Sequence, residues 1–206
     1  MKSVLKIHLL IVLLVAVVCS ANAQIYRLEV GYNNPVRTGT NFSSTFFNGG
    51  QLGVTAEFDL KNQFSLLTGA LYNFVYSDKL QRYPNLTSVK SVSFGHFLDI
   101  PLHVTYTYPL SKTLKVFGFA GPNINIGLYQ TMNTTSSVSY VPSQFLDLYK
   151  DAMLNRLNFQ LGAGGGVQWK TYQIKSGYDF GINNLNRKDT GAMHQKGWYV
   201  TVGINF

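Results

Sequence analysis

From Trp198 to Phe206 the chain alternates. Trp198, Val200, Val202, Ile204 and Phe206 share one parity, and Tyr199, Thr201, Gly203 and Asn205 share the other. A period of two gives a strand one apolar and one polar face. The steps from Trp198 to Phe206, at about 3.3 Å each and tilted about 40°, rise roughly 20 Å, close to the apolar band of a transmembrane barrel.

The same alternation recurs upstream. Tyr172, Ile174, Tyr178, Phe180 and Ile182 oppose Gln173, Lys175, Gly177, Asp179 and Asn183. Phe159, Leu161, Ala163, Val167 and Trp169 oppose Asn158, Gln160, Gly162, Gly164 and Gln168. Leu98, Ile100, Leu102, Val104 and Tyr106 oppose Asp99, Pro101, His103 and Thr105. Leu52, Val54, Ala56, Phe58 and Leu60 oppose Gly53, Thr55, Glu57 and Asp59, and Tyr26, Leu28, Val30 and Tyr32 oppose Arg27, Glu29 and Gly31. Segments 65–76 and 116–128 read as strands but are apolar on both parities, so their facing stays open. Pro122 lacks a backbone donor, which predicts a bulge at that point.

These segments make eight strands, and the connections alternate in length. Short turns fall at 61–63, 109–112 and 170–171, and long connections at 33–50, 77–91, 129–156 and 184–196. Short periplasmic turns and long outer loops are the habit of outer-membrane barrels, and an even strand count returns both termini to the periplasm. The expected fold is an all-β, eight-stranded antiparallel up-and-down transmembrane barrel spanning 24–206. A short helix is expected near Ser143–Lys150 within the longest loop.

Composition agrees. Charged residues make up 13% of the chain and aromatics 14%, against a usual charged share of about 25%. The apolar strand faces carry no charge, as lipid requires: Arg or Lys at mid-bilayer costs about 2–4 kcal/mol. A soluble lipocalin-like barrel would reverse this arrangement, burying the apolar face and turning the charges out. The basic residues Arg37, Lys79, Arg82, Lys90, Lys150, Arg156, Arg187, Lys188 and Lys196 lie in the long loops, against Asp78, Asp147, Asp151 and Asp189. Such loops face the phosphates of a glycolipid leaflet, which Arg and Lys bind by charge-assisted hydrogen bonds.

The segment Met1–Ala23 reads as a cleaved secretory signal: Lys2 and Lys6, the apolar run Leu9–Cys19, then Ala21-Asn22-Ala23 before the cleavage point. It carries Cys19, the one cysteine. Its removal leaves no disulfide and no thiolate metal site.

Several motifs resemble a known family. Leu98-Asp-Ile-Pro-Leu-His-Val104, Ala120-Gly-Pro122, Leu161-Gly-Ala-Gly164 and Gly177-Tyr-Asp-Phe-Gly-Ile-Asn-Asn184 are similar, in that order, to strand motifs of the PorT-like outer-membrane β-barrel proteins of Bacteroidetes-type bacteria. The resemblance implies an eight-stranded outer-membrane barrel and carries over no catalytic residue. The family's namesake is linked to protein secretion. The strand face Trp198, Val200, Val202, Ile204 and Phe206 also resembles the signal by which barrel-assembly machinery recognises its clients.

The inward parity collects Arg27, Glu29, Glu57, Asp59, Asp99, His103, Lys175 and Asp179. A relay or active site is one reading. A packed interior is the favoured one, because eight strands enclose only enough room for side chains, and charges there must pair. The five acids outnumber Arg27 and Lys175, so some carboxylates must be neutral or reach water at the periplasmic mouth. Asp99 and His103 lie four residues apart on one strand, roughly 13 Å, and cannot touch. Any partner for either must come from another strand. His96 has lipid-facing parity near the outer rim, where a lipid A deacylase would keep a histidine, but an interface histidine is the simpler reading. His96, His103 and His194 show no metal spacing.

The resulting expectation is a non-enzymatic outer-membrane barrel, without cofactor or nucleic-acid partner, that meets lipid along its wall. The 129–156 loop offers Tyr140, Val141, Phe145, Leu146 and Leu148 to a protein partner. Two alternatives stand beside this: an accessory of protein secretion, and a small lipid- or peptide-processing enzyme.

Overall fold

Alternating segments become strands that pair with their sequence neighbours until the sheet closes on itself. The computed structural model describes residues 25–40, 42–82, 88–136, 144–188 and 190–206. The expected signal segment and Tyr140 and Val141 lie outside these. The strands are β1 (Ile25–Gly39), β2 (Phe42–Phe46), β3 (Asn48–Asp59), β4 (Phe64–Arg82), β5 (Ser88–Pro109), β6 (Leu114–Ser136), β7 (Gln144–Asp147), β8 (Leu157–Trp169), β9 (Tyr172–Gly181) and β10 (Met193–Asn205). All pairings are antiparallel and form one sheet. β2 and β7 are short additions at the outer end, on β1 and β6 respectively. The other eight form the wall, closed by β1 against β10 from Arg27↔Asn205 to Gly39↔Met193. Closure leaves no strand edge in the lipid, where an unpaired backbone group would cost several kcal/mol.

Short turns join the strands at one end, as expected. Asn62 and Lys170 take positive φ there, at 55° each. Such values are ordinary for Asn in a turn and uncommon for Lys. The Ser111 hydroxyl accepts the amides of Thr113 and Leu114, closing the β5–β6 turn.

Side chains follow the predicted parity except near the end of β3, where Phe58, expected on the lipid face, is buried. Leu28, Val54, Val104, Leu161, Ile174 and Val202 are exposed on the outside, while Arg27, Glu29, Thr55, His103, Gln160 and Lys175 are buried inside. The two undecided segments now have faces. Leu67, Leu71, Asn73 and Val75 point inward from β4, as do Phe119, Asn123 and Asn125 from β6. The bulge falls elsewhere than at Pro122. The β5–β6 ladder keeps one register from Phe97↔Gly127 to Pro109↔Lys115, passing Pro122, and shifts between His96↔Tyr129 and Phe97↔Gly127. Leu128 is therefore the extra residue. Leu128 and Tyr129 both face out, and the buried position moves from Gly127 to Gln130.

The outer connections hold more strand than expected. β4, β5 and β6 run 19, 22 and 23 residues. At about 3.3 Å per residue and about 40° of tilt they rise roughly 48–58 Å, about twice the apolar band of about 25 Å. Beyond the lipid both faces of a strand meet water, so the alternation fades while the ladder continues. The expected helix near Ser143–Lys150 is absent: Gln144–Asp147 is strand β7, followed by a turn. The main apolar cluster is a cap at the outer end, built from Phe47, Val75, Phe97, Leu148, Leu154 and Leu185 with Tyr149.

Candidate functional site

The periplasmic third of the lumen is an ion-pair network. Arg27 places Nη2 3.0 Å from Glu57 Oε2 and Nη1 3.9 Å from Glu29 Oε1, and donates from Nε to Asn205 Oδ1 at 2.6 Å. Lys175 Nζ lies 2.7 Å from Glu29 Oε2. The Thr55 hydroxyl donates to Glu29 at 2.7 Å, and Ser65 donates to Glu57. Two bases and two acids balance here, and the hydroxyls occupy remaining lone pairs, as burial in a low dielectric demands. Asp59, expected in this cluster, is instead exposed at the periplasmic mouth, where β3 ends. One of the surplus carboxylates thus reaches water.

An aromatic layer lies above. The ring of His103 stacks on Phe119 with centroids 5.1 Å apart, and Lys175 Nζ sits 5.9 Å from the Phe119 centroid. Glycines make this layer possible. A side chain on Gly164 or Gly166 would strike the Phe119 or Phe117 ring, and one on Gly177 would strike the Tyr199 hydroxyl. The glycine run of β8 is therefore a set of slots for inward rings.

Above the rings, every wall strand contributes an amide or a carboxylate. The belt runs Asn33 (β1), Gln51 (β3), Asn73 (β4), Asp99 (β5), Asn123 and Asn125 (β6), Gln160 (β8), Asp179 (β9) and Gln195 (β10), and most of it lines one chamber of about 40 Å³. Asn73 Nδ2 donates to Asp99 Oδ2 at 2.9 Å, and Asn125 Nδ2 donates to Asp99 Oδ1 at 2.5 Å. Asn123 Nδ2 donates to Gln160 Oε1 at 3.1 Å and reaches Asp179 Oδ2 at 3.4 Å. Asn33 Oδ1, Gln51 Oε1, Asn123 Oδ1, Asp179 Oδ1 and His103 Nε2 are buried without a hydrogen-bond partner among the described residues. His103 and Asp99 do not meet, as their spacing dictates. The acid beside His103 is Asp179 from β9: its Oδ1 and His103 Nε2 both crowd the side-chain space that Gly162 leaves empty.

The cap and a cup close the outer end. Asp147 Oδ1 accepts the amides of Tyr149 at 3.2 Å and Lys150 at 3.1 Å. The Lys150 amide above all, then the Tyr149 amide and the Lys150 ammonium at 3.5 Å, hold its carboxyl below the usual range. The turn drives Leu148 and Tyr149 into the barrel mouth. Burial pushes the Tyr149 phenol up, against the pull of nearby Arg37 and Arg156. The Arg156 guanidinium covers the Tyr149 ring at 4.7 Å and donates to the Gly127 and Leu128 carbonyls, at 3.0 and 2.8 Å. Arg37 lies between Phe47 and Phe97 and donates to Gln195 at 2.9 Å.

The expected docking stretch is thus split. Leu148 is buried in the cap and Leu146 packs against it, because the Asp147 turn points them inward, and Phe145 remains exposed. Over the cap lies a cup of about 440 Å³ with an apolar floor of Phe47, Met132, Leu148, Met153 and Met193 beneath Lys79 and Lys188. Sequence reasoning missed it, since its walls come from six separate stretches of chain.

On the outside, His96 sits among aromatic rings. The Tyr72 hydroxyl hydrogen-bonds Nδ1, and the Phe74 and Tyr129 centroids lie 5.3 and 6.0 Å from its own. This is the geometry of an interfacial girdle. Trp198, Val202 and Ile204 face outward on β10, and Phe206, just past its end, is exposed and stacked on Tyr26 at 6.2 Å.

A closed antiparallel barrel, charged within, apolar without and ringed by aromatics, is an outer-membrane barrel. The sequence profile of the outer membrane protein beta-barrel domain matches residues 17–187, and the chain belongs to that family. No curated protein matches it in sequence. Among solved structures it is similar to Ail, the attachment invasion locus protein of Yersinia pestis, at 12% identity over 90% of this chain and 100% of that one, with a TM-score of 0.41. It is also similar to Neisserial surface protein A at 12% identity over 88% and 97%, with a TM-score of 0.44. The outer membrane enzyme PagL is a further similar structure, at 14% identity over 84% and 98%, with a TM-score of 0.39.

Proposed function

We propose that this barrel is a non-enzymatic anchor that holds a partner at its outer end, in the cup above the cap. The observation that carries this reading is the cup itself. Methionine side chains adapt their shape to an apolar group, and the lysines above them attract an acidic one. The partner therefore presents an apolar group beside a carboxylate or phosphate, and exposed Phe145 extends the contact along the rim. The motifs that resemble the PorT-like family contribute Asp99, Gly121, Gly164, Gly177 and Asp179, all inside the wall. They support a shared architecture more than a shared secretion role.

The test is a photo-crosslinking residue at Thr45, in the cup wall, in cells of the native host. A discrete adduct is expected, and Lys79→Glu with Lys188→Glu should abolish it while the barrel still shows heat-modifiable gel migration. An adduct unchanged by both reversals would refute the reading, as would the absence of any adduct.

A further inference from the structure

The lower lumen is electrically closed, with Arg27 and Lys175 set against Glu29 and Glu57. The belt above is not. Among the described residues neither Asp99 nor Asp179 forms an ion pair, although Lys196 also lines the chamber, and their hydrogen-bond donors are the neutral amides of Asn73, Asn125 and Asn123. A buried carboxylate left without an opposite charge costs several kcal/mol.

The same chamber holds buried oxygens with nothing to bind. Gln51 and Asn33 line it with more than nine-tenths of each residue buried, and their Oε1 and Oδ1 have no hydrogen-bond partner among the described residues; Asp179 also lines it, its Oδ1 lying beside Gly162 and His103. Asn33 donates from Nδ2 to Asn73, and its Oδ1 lies against Gly49, where a side chain would otherwise stand. The donor set is two carboxylates and neutral amide oxygens, with no thiol. Hard cations take this set, and calcium in particular accepts an irregular ring of six to eight oxygens that mixes carboxylates, amide carbonyls and water. Magnesium demands a near-ideal octahedron, which side chains from separate strands do not readily supply. Space agrees: about 40 Å³ admits about three or four water-sized bodies at roughly 10–15 Å³ each.

We infer that the belt is a calcium site within the barrel lumen, with Asp99 and Asp179 supplying the charge and Gln51 and Asn33 supplying neutral oxygens. A divalent ion cancels the two negative charges without disturbing the balanced network below. It also ties β1 and β3 to β5 and β9 across the lumen, so it braces the wall from inside. The inference is independent of the partner cup.

The experiment uses the full folded protein in detergent, stripped with a chelator and dialysed against radioactive calcium. One ion per chain is expected, with magnesium at equal concentration displacing it poorly. Calcium should raise the unfolding temperature of the wild type by several degrees. Asp99→Asn with Asp179→Asn removes the charge while keeping the shape, and should abolish binding with native gel migration retained. Gln51→Met leaves both carboxylates and should weaken binding at least fivefold, which keeps the test decisive if the double variant fails to fold. No saturable binding at millimolar calcium would overturn the inference and leave water alone in the belt. Equal binding by wild type and Gln51→Met would overturn it too, by placing the ion on the exposed loops.

Discussion

The hydroxyl of Tyr149 lies against Gly127, in the space that a side chain at that position would fill. The cap over the barrel mouth therefore depends on a missing methyl group. Arg156 ties the same glycine's carbonyl to the face of the Tyr149 ring, so wall and cap are joined at one point.

Gly127→Ala should expel Tyr149 and loosen residues 148–156 without opening the wall. Limited trypsin treatment checks this. Cleavage after Lys150 should quicken about tenfold or more, while heat-modifiable migration persists. An unchanged cleavage rate would mean that the cap is held by its apolar contacts alone.

The buried pair of Glu29 and Lys175 predicts a large and asymmetric cost. Lys175→Met strands the Glu29 carboxylate and should destabilise the barrel by about 3–5 kcal/mol, whereas Glu29→Gln with Lys175→Met should lose less than the sum of the single changes. Urea unfolding in lipid vesicles measures both. Additive losses would show that the 2.7 Å contact couples the two residues little.

The lumen should not conduct. Phe119, His103 and Tyr199 cross it below the belt, and Phe97, Leu148 and Tyr149 cross it above. Planar-bilayer recordings of pure protein should give no stable step. Reproducible ion-selective openings would contradict the packing described.

Asp147 makes the cap turn sensitive to acid. Its carboxyl titrates lower in the folded turn than when free, chiefly through the Lys150 amide. The stabilisation is therefore fully present above the ordinary carboxylate value of about 4 and is lost as pH falls through the lowered folded value. Amide protection at Tyr149 and Lys150, taken relative to the intrinsic exchange rate at each pH, should fall below about pH 4, and Asp147→Asn should remove that step. Constant protection down to pH 3 would refute the assignment.

The wall was legible in the sequence because lipid enforces parity at every position of strands such as 172–181 and 198–205. Segments 65–76 and 116–128 hid their faces for a physical reason: Leu67, Leu71, Phe117 and Phe119 fill the lumen, so both parities are apolar. Residues 88–91 carry no strand signal, because beyond the membrane water wets both faces of β5 there. The pairing inside was out of reach. Which acid takes Arg27, or which lies beside His103, depends on the stagger between strands, and parity along one strand carries no information on it. Of the belt, Asp99, Gln160 and Asp179 fall on the polar parity of their strands, while Asn73, Asn123 and Asn125 lie in the two segments whose facing the sequence leaves open.

Arg27 and Asn205 share a hydrogen bond across a sequence separation of 178. The contact joins β1, the first strand of the wall, to β10, the last in sequence. Forming the seam early would require ordering a loop of nearly the whole chain, an entropic cost not recovered until the intervening strands are in place. Until β10 arrives, one flank of β1 is open and the guanidinium of Arg27 lacks the cover that makes its burial tolerable. Closure in the membrane is thus a gated event: a barrel stalled one strand short keeps its most buried cation at an unsealed gap, and such an intermediate should be short-lived or held by other machinery.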